Sequence, residues 1–503
     1  MPQSKAAGMS NATSQKLSVL EKIGYSLGDL AANLVFQTLV TFLAFFYTDV
    51  YGIPAGKASF IITTFGFVGA FFNVLMGIIA DRTNTRWGKY RPWILWTAIP
   101  FGVISLLAFS TPHFNESGKI IYASVTYFLL VITYSANNLP YSALSGVLTG
   151  DMKERNSISS YRFVAVMVAQ FIIQSLLLPL ALSIGHGDKQ KGFEKVMFFF
   201  AIVGVICFII TFLTTRERIK PVVEQKNAIS SDLRDLSKNK PWIIMLVVTI
   251  LVFITLALKG GMYAYYFKYY MDATAEANFL DQIGFNNFIA GINRMVTGMG
   301  LGNFEWPKDA PTSCFSLFNA GGIIFMIVGI AFSKPLADRF GKRNIFAIFL
   351  FFSALSLMMF IFYSRDAIGL AVITQIIHGF LYGITIPLLW AMIADVADYS
   401  EWKNNRRATA MIFSAMIFGL KIGLSLGGGL GAFILSQYGY VADASQQTAG
   451  AINGIRMSVS IYPGLIFTIA AALFFWYQIN KTMETTIETD LKTRRKQAAV
   501  ALG

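Results

Sequence analysis

With only two cysteines in 503 residues, Cys207 and Cys314, the chain can build neither a disulfide framework nor a thiolate metal cluster. Histidines number three and acidic residues 27, so His-rich and carboxylate-rich metal sites are poorly supplied as well. Charged residues make up 14% of the chain, where a soluble domain carries about a quarter. Against that shortage stand 55% hydrophobic residues, arranged in stretches of about 20, the length that crosses a hydrocarbon core as a helix. The composition therefore describes a membrane protein and excludes a large soluble catalytic domain. No span carries a nucleophile, base and orienting acid at recognisable spacing or a paired histidine motif, so an enzyme is not expected, nor a cofactor or metal.

Twelve apolar stretches are legible: 27–50, 56–80, 92–111, 120–149, 162–183, 195–215, 241–267, 313–333, 344–363, 367–396, 408–437 and 452–480. The first 26 residues are polar, and the first span is too long for a signal-peptide core, so an uncleaved, disordered tail is expected. The excess of 41 Lys and Arg over 27 Asp and Glu raises nucleic acid as a partner, but the distribution argues otherwise. Roughly 29 of the 41 fall in the two tails and alternate loops, and roughly 8 in the opposite loops. This asymmetry places both termini in the cytoplasm of a bacterial inner membrane. A contiguous basic surface, which nucleic acid would need, is missing.

The stretch ADRTNTRWGKYRPW starting at Ala80 has a counterpart in ADRFGKRNIF starting at Ala337, with the two Asp-Arg pairs about 257 residues apart. The longest polar loop, Thr215 to Trp242, divides the spans six and six, and each ADR follows the second span of its half. The chain thus reads as an all-α membrane protein of twelve transmembrane helices in two six-helix bundles. The expected divisions are an N-terminal tail 1–26, bundles 27–215 and 241–480 around a central loop 216–240, and a C-terminal tail 481–503. An exterior insertion, 272–311, lies in the second bundle, and its aromatic content predicts a partly folded segment. Asp81, Arg82, Arg86, Asp338, Arg339 and Asp398 are candidates for a cytoplasmic gate, since an Asp beside cations at a helix end can latch neighbouring helices.

The segments Arg86 to Trp93, Phe46 to Val50, Asn138-Leu139-Pro140-Tyr141 and Asp398 to Lys403 resemble the glycoside-pentoside-hexuronide:cation symporter family, the relatives of the melibiose carrier. Gly24 to Asp29 looks most like its glucuronide-carrier branch. The resemblance implies the major facilitator fold, alternating access and a sugar substrate. It implies sugar ligands at Asn33 and Asn138, both acidic in the family pattern, and at Arg162 and Lys421. The sodium-coupled relatives use two aspartates where this chain has Gly69 and Asn73, so the familiar sodium site is not expected and a proton is favoured over sodium.

Ionisable and polar groups inside spans are costly and become functional candidates by default. Asp29, Asn33 and Gln37 share one face of span 1 at four-residue spacing. Asn137, Asn138 and Tyr141 lie on span 4, Arg162 and Gln170 on span 5, and Gln375, Tyr382 and Lys421 in the second half. Amides, hydroxyls, cations and aromatic platforms are what a sugar requires of a cavity. Asn137 and Ser145 serve equally as interhelical hydrogen-bonding glue. Asp29 is either the proton site or the partner of a core cation, with Asn73 the other candidate for the coupling ion. His378, the one histidine in a span, is a proton relay or a packing group. Lys259 and Arg456 are placed near span ends. The glycine-rich run from Gly419 to Gly431 should let span 11 pack closely and bend. A lipid carrier of the same fold is the rival reading. A monomer, dependent on a lipid bilayer, is expected.

Overall fold

The computed structural model describes residues 16–149, 152–218, 236, 238–299, 306–404, 409–442 and 444–502. Twelve helices are long and apolar enough to cross a membrane. Spans 1 to 6 are Val19–Val50, Ala55–Arg82, Arg91–Ala108, Glu116–Leu148, Ser157–Ile184 and Lys189–Thr214. Spans 7 to 12 are Lys240–Tyr270, Ala310–Phe340, Lys342–Phe362, Ile368–Lys403, Met411–Gln437 and Ala449–Phe475. Among the described residues there is no β-strand, and the spans form two six-helix bundles, as the duplicated hydropathy predicts.

An even number of spans puts both chain ends on one side, called here the tail face; the other side carries the 272–311 segment and is called the insertion face. That segment contains two helices, Ala273–Gln282 and Phe285–Gly298. Glu276 on the first is fully buried, and neither carboxyl oxygen has a partner. Burial, with Asp309 and Asp272 nearby, pushes its carboxyl up to about 9.

Most of the expected N-terminal tail and of the central loop lies outside the described residues, but residues 19–26 already belong to span 1 and the expected C-terminal tail is helical. Span 1 starts at Val19 because Ser18 caps it, accepting from Glu21 N at 3.1 Å, and because Glu21 is clamped by Arg218 at 2.6 Å. The C-terminal segment forms a helix, Lys481–Leu502, held by Trp402 Nε1 donating to Asp490 at 2.8 Å and by Lys481 donating to the Asp338 carbonyl. Its mean hydropathy misleads, because one polar helix face is enough to keep it out of a hydropathy count while the other packs.

Span 11 is continuous helix, and its glycines serve two neighbours. A Cβ at Gly423 or Gly427 would fall 2.6 and 2.3 Å from carbonyls of span 7, and one at Gly429 would fall 1.8 Å from Thr63 Oγ1 of span 2. The glycines thus let one helix lie against its own bundle and against the opposite bundle. Single π-turns close span 1 at Phe46–Val50 and span 7 at Tyr266–Tyr270, the corresponding helices of the two halves.

Candidate functional site

Asp29 and Arg162 meet in the tail-face half of the first bundle: Arg162 Nε donates to Asp29 Oδ2 at 2.5 Å. The guanidinium lies 5.6 and 5.3 Å from the ring centroids of Tyr25 and Tyr141, which stack at 4.6 Å and each donate a hydroxyl to the other's carbonyl. The ion pair lies beside the stacked rings, with the Asp29 carboxylate buried and the Arg162 side chain 26% exposed. Asn33 donates to the Asp29 carbonyl of its own helix at 2.9 Å, and Gln37 accepts from Gln174 at 3.4 Å. Asn137 is buried and donates to Thr97 Oγ1 of span 3 at 2.8 Å, the arrangement of interhelical glue; Ser145 bonds within its own helix. Asn138 and Gln170 are half-buried on spans 4 and 5.

Between the bundles lies a cavity lined by Phe36, Gly66, Gly69, Tyr134, Ser135 and Lys421, among others. Lys421 crosses from span 11, donating to Ser135 Oγ at 3.4 Å with its ammonium 5.4 Å from the Tyr134 ring centroid. Gly69 borders the same cavity, and Asn73 one turn further on has a buried Oδ1 with no partner. Lys421 is thus the cation that the second bundle presents to the first across this cavity, with a hydroxyl and a ring in place of a carboxylate.

In the second bundle Gln375 accepts from Tyr263 at 3.5 Å, and Tyr382, His378 and Phe467 pack as near-parallel rings with centroids 5.8 to 6.5 Å apart. Lys259 reaches His378 Nε2 at 2.6 Å, well inside the membrane rather than at a span end. Arg456 donates to the Ile361 carbonyl and covers the Tyr270 ring at 4.8 Å.

On the insertion face a set of residues closes the gap between the bundles. Asp49, with a side chain 0% exposed, accepts from Lys268 Nζ and Tyr269 OH at 2.6 Å each and from Tyr440 OH at 2.5 Å. Thr48 joins Tyr265 at 2.7 Å, Ser59 donates to the Gly429 carbonyl, and Asn319 donates to the Gln174 carbonyl. Each of these bonds joins the two halves. Sequence reasoning used Asp49 only as part of a motif; the signal available was one acid and one base at the aromatic ends of the two corresponding spans.

The six gate candidates sit on the tail face, and their recorded contacts stay within their own half. Asp81 pairs with Lys89 at 3.0 Å and accepts from Tyr90 OH; Arg82 is exposed, and Arg86 covers the Trp87 ring. Asp338 pairs with Lys334 at 3.2 Å, Arg339 covers Phe340, and Asp398 is half-buried near Asp395. Two neighbours that sequence reasoning did not single out hold these turns. Glu217 accepts from the backbone N–H groups of Lys89, Tyr90 and Arg91 at 2.7 to 2.9 Å, which requires the left-handed Gly88 (φ 116°), whose Cβ would fall 2.4 Å from that carboxyl. In the second copy Gly341 (φ 85°) makes the turn and Lys342 joins Asp395 at 2.5 Å. Among the described residues no group of His, Cys, Asp and Glu could hold a metal ion.

The family described as MFS/sugar transport protein matches residues 24–296 and 312–481. The chain belongs to that family. It is 33% identical to the inner membrane symporter YicJ of Escherichia coli strain K12 over 464 residues, 92% of each chain. It is 31% identical to the isoprimeverose transporter of Lactiplantibacillus pentosus, over 95% of this chain and 92% of that one. The crystal structure of the nucleoside transporter NupG matches with TM-score 0.56 at 13% identity, covering 92% of this chain and 100% of that one, a likeness of fold alone. The glycoside-pentoside-hexuronide:cation symporter assignment read from the motifs stands. This major facilitator chain is a multi-pass membrane transporter and not an enzyme.

Proposed function

We propose that this transporter carries a glycoside, pentoside or hexuronide together with a proton across a bacterial inner membrane, with its tail face in the cytoplasm. The observation that carries this reading is the cavity between the bundles, bordered by Lys421, with aromatic rings and hydroxyls around it and the Asp29–Arg162 pair in the adjacent first bundle. A sugar supplies an apolar ring face for Tyr134 and hydroxyls for Ser135 and the amides. The names of the isoprimeverose transporter and of YicJ as a symporter agree with a sugar and a coupling ion. The Asn33, Gln37, Asn138, Gln170, Gln375 and Tyr382 side chains complete the proposed binding set, with Asn137 and Tyr141 supporting it from behind.

Bonds that join the halves on the insertion face make this the conformation open to the cytoplasm, in which Asp49 and its partners are the closed exterior gate. Protonation of the Asp29 carboxylate releases Arg162 from its ion pair, so the proton sits on Asp29 while the freed guanidinium takes a substrate oxygen, and the two are bound together. The test is uptake of labelled isoprimeverose and of phenyl β-glucuronide into proteoliposomes under an inward proton gradient with sodium replaced by choline. Gradient-driven accumulation of either supports the reading. Indifference to the gradient, with strong sodium stimulation, overturns the proton, and transport of a radiolabelled lysolipid but of neither sugar overturns the substrate class.

A further inference from the structure

The second bundle holds a pair of bases with no acid. Lys259 on span 7 is 7% exposed and His378 on span 10 is 1% exposed, and Lys259 Nζ lies 2.6 Å from His378 Nε2. The other ring nitrogen settles which atom donates. His378 Nδ1 lies 3.2 Å from the Ser353 carbonyl, which can only accept, and 2.9 Å from Ser356 Oγ, whose own proton goes to that same carbonyl at 2.7 Å. Nδ1 therefore carries the imidazole proton, Nε2 is a bare acceptor, and Lys259 donates to it. What else faces the lysine is aromatic: the Tyr263 and Tyr382 ring centroids lie 5.8 Å away, with Phe467 of span 12 stacked behind Tyr382. Among the described residues, spans 7, 9, 10 and 12 bring no carboxylate to this cluster; its titratable groups are Lys259, His378 and the two tyrosines.

We infer that the Lys259–His378 pair is a proton-binding site of the carrier, separate from Asp29. A structural lysine in a membrane interior is held by a carboxylate, which makes its charge permanent; here the partner is a base. The pair has two states that differ by one proton, and neither breaks the hydrogen bond, since an ammonium and a neutral amine both donate to Nε2. Loss of the proton removes an uncompensated charge from the bundle; its gain creates one that an anionic substrate group, or the closing of the opposite bundle, can compensate. No heavy-atom bond changes: one N–H bond of Lys259 forms or breaks, and the proton passes to or from water that reaches the site as the carrier reorients. The site rests on the proton-coupled reading above only for its physiological purpose.

The test uses the full-length carrier with Lys259→Arg, Lys259→Met and His378→Gln, beside Asp29→Asn. Arginine keeps the charge and the donor but does not release a proton, so Lys259→Arg separates titration from folding. In proteoliposomes with an internal pH dye, isoprimeverose or phenyl β-glucuronide should carry protons inward with the intact protein. Lys259→Arg and His378→Gln should keep exchange of internal for external sugar within severalfold while losing roughly half of the proton entry per sugar, the other half being carried by Asp29. Proton entry unchanged in both variants overturns the proposal. If the intact protein moves neither sugar, the sugar reading has failed, and the site is judged without substrate: in potentiometric difference titration of detergent-solubilised protein between about pH 6 and 9, the intact carrier should take up one more proton per molecule than Lys259→Arg. Superimposable titrations overturn it.

Discussion

The two faces of the transporter are built on different principles. On the insertion face Asp49, Thr48, Ser59 and Gln174 of the first half bond to Lys268, Tyr265, Gly429 and Asn319 of the second, so the halves are held to one another. On the tail face Glu217 holds the turn after span 2, Lys342 and Asp395 hold the turn after span 8, and each arrangement stays inside its own bundle. Bonds between bundles must break when a carrier reorients, whereas bonds within a bundle travel with it. The tail-face charges are therefore hardware of each bundle, and the insertion-face cluster is the part whose energy belongs to one conformation.

The largest effect should come from making the insertion-face closure covalent. A Cβ at Gly56 would lie 3.7 Å from Ser436 Cβ, close to the separation of about 3.8 Å that disulfides adopt. The double variant Gly56→Cys, Ser436→Cys should lose transport to background on oxidation and regain it on reduction. Full uptake with the bridge formed would mean that this face does not need to open. Next in size is Asp49→Asn, which leaves Lys268 and two tyrosine hydroxyls facing an amide. Breaking a buried pair costs about 3 to 5 kcal/mol, and somewhat less here because the Lys268 side chain is 25% exposed. The closed insertion face should lose population by more than tenfold, seen as faster reaction of a cysteine placed at Ser425 with a thiol reagent added from that side.

A smaller effect, with a definite pH signature, belongs to Glu276. Its folded carboxyl is raised from 4.5 to about 9, so docking of the Ala273–Gln282 helix favours the protonated acid. Because the folded value is the higher one, the unfolded chain releases its proton first as pH rises. Stability is then greatest below about pH 4.5, falls through the interval up to about pH 9, and changes no further above it. The melting temperature should drop between pH 6 and pH 9 in the intact protein, and Glu276→Gln should flatten that slope; an identical slope in both would reject the buried acid. The smallest effect is expected on the tail face. Glu217→Gln keeps an acceptor for the N-terminus of span 3 and should cost about 1 kcal/mol in stability while leaving the coupling of sugar to gradient intact. If it changed coupling, the division between the two faces would fail.

The architecture was legible because hydropathy over 20 residues and a repeated ADR turn depend on no tertiary detail. Span 1 began eight residues earlier than its apolar stretch because Glu21 and Lys22 are each paired by distant partners, Arg218 and Glu154, which a window average scores as polar. Asp29 and Arg162 stood out individually as charges inside spans, and their union across 133 positions is what the fold supplied. Lys259 and His378 were visible too, yet Lys259 was placed near a span end, and no spacing links a base on span 7 to a base on span 10. Asp49 was hidden differently: a charge near the end of a span ordinarily sits at the headgroups, and nothing local separates that from a side chain sealed between two bundles.

The matching π-turns that end spans 1 and 7 bear on how such a molecule came to be. In an ancestor made of two identical six-helix chains, the axis relating them would have made this contact twice, the third position of each turn meeting the fourth of the other. The Asp49–Lys268 pair has no charged counterpart in Thr48 and Tyr269, its symmetry-related positions, because the copies differ there. Fusion into one chain gave each copy its own sequence to vary, and the closed face is held by what the two halves no longer share.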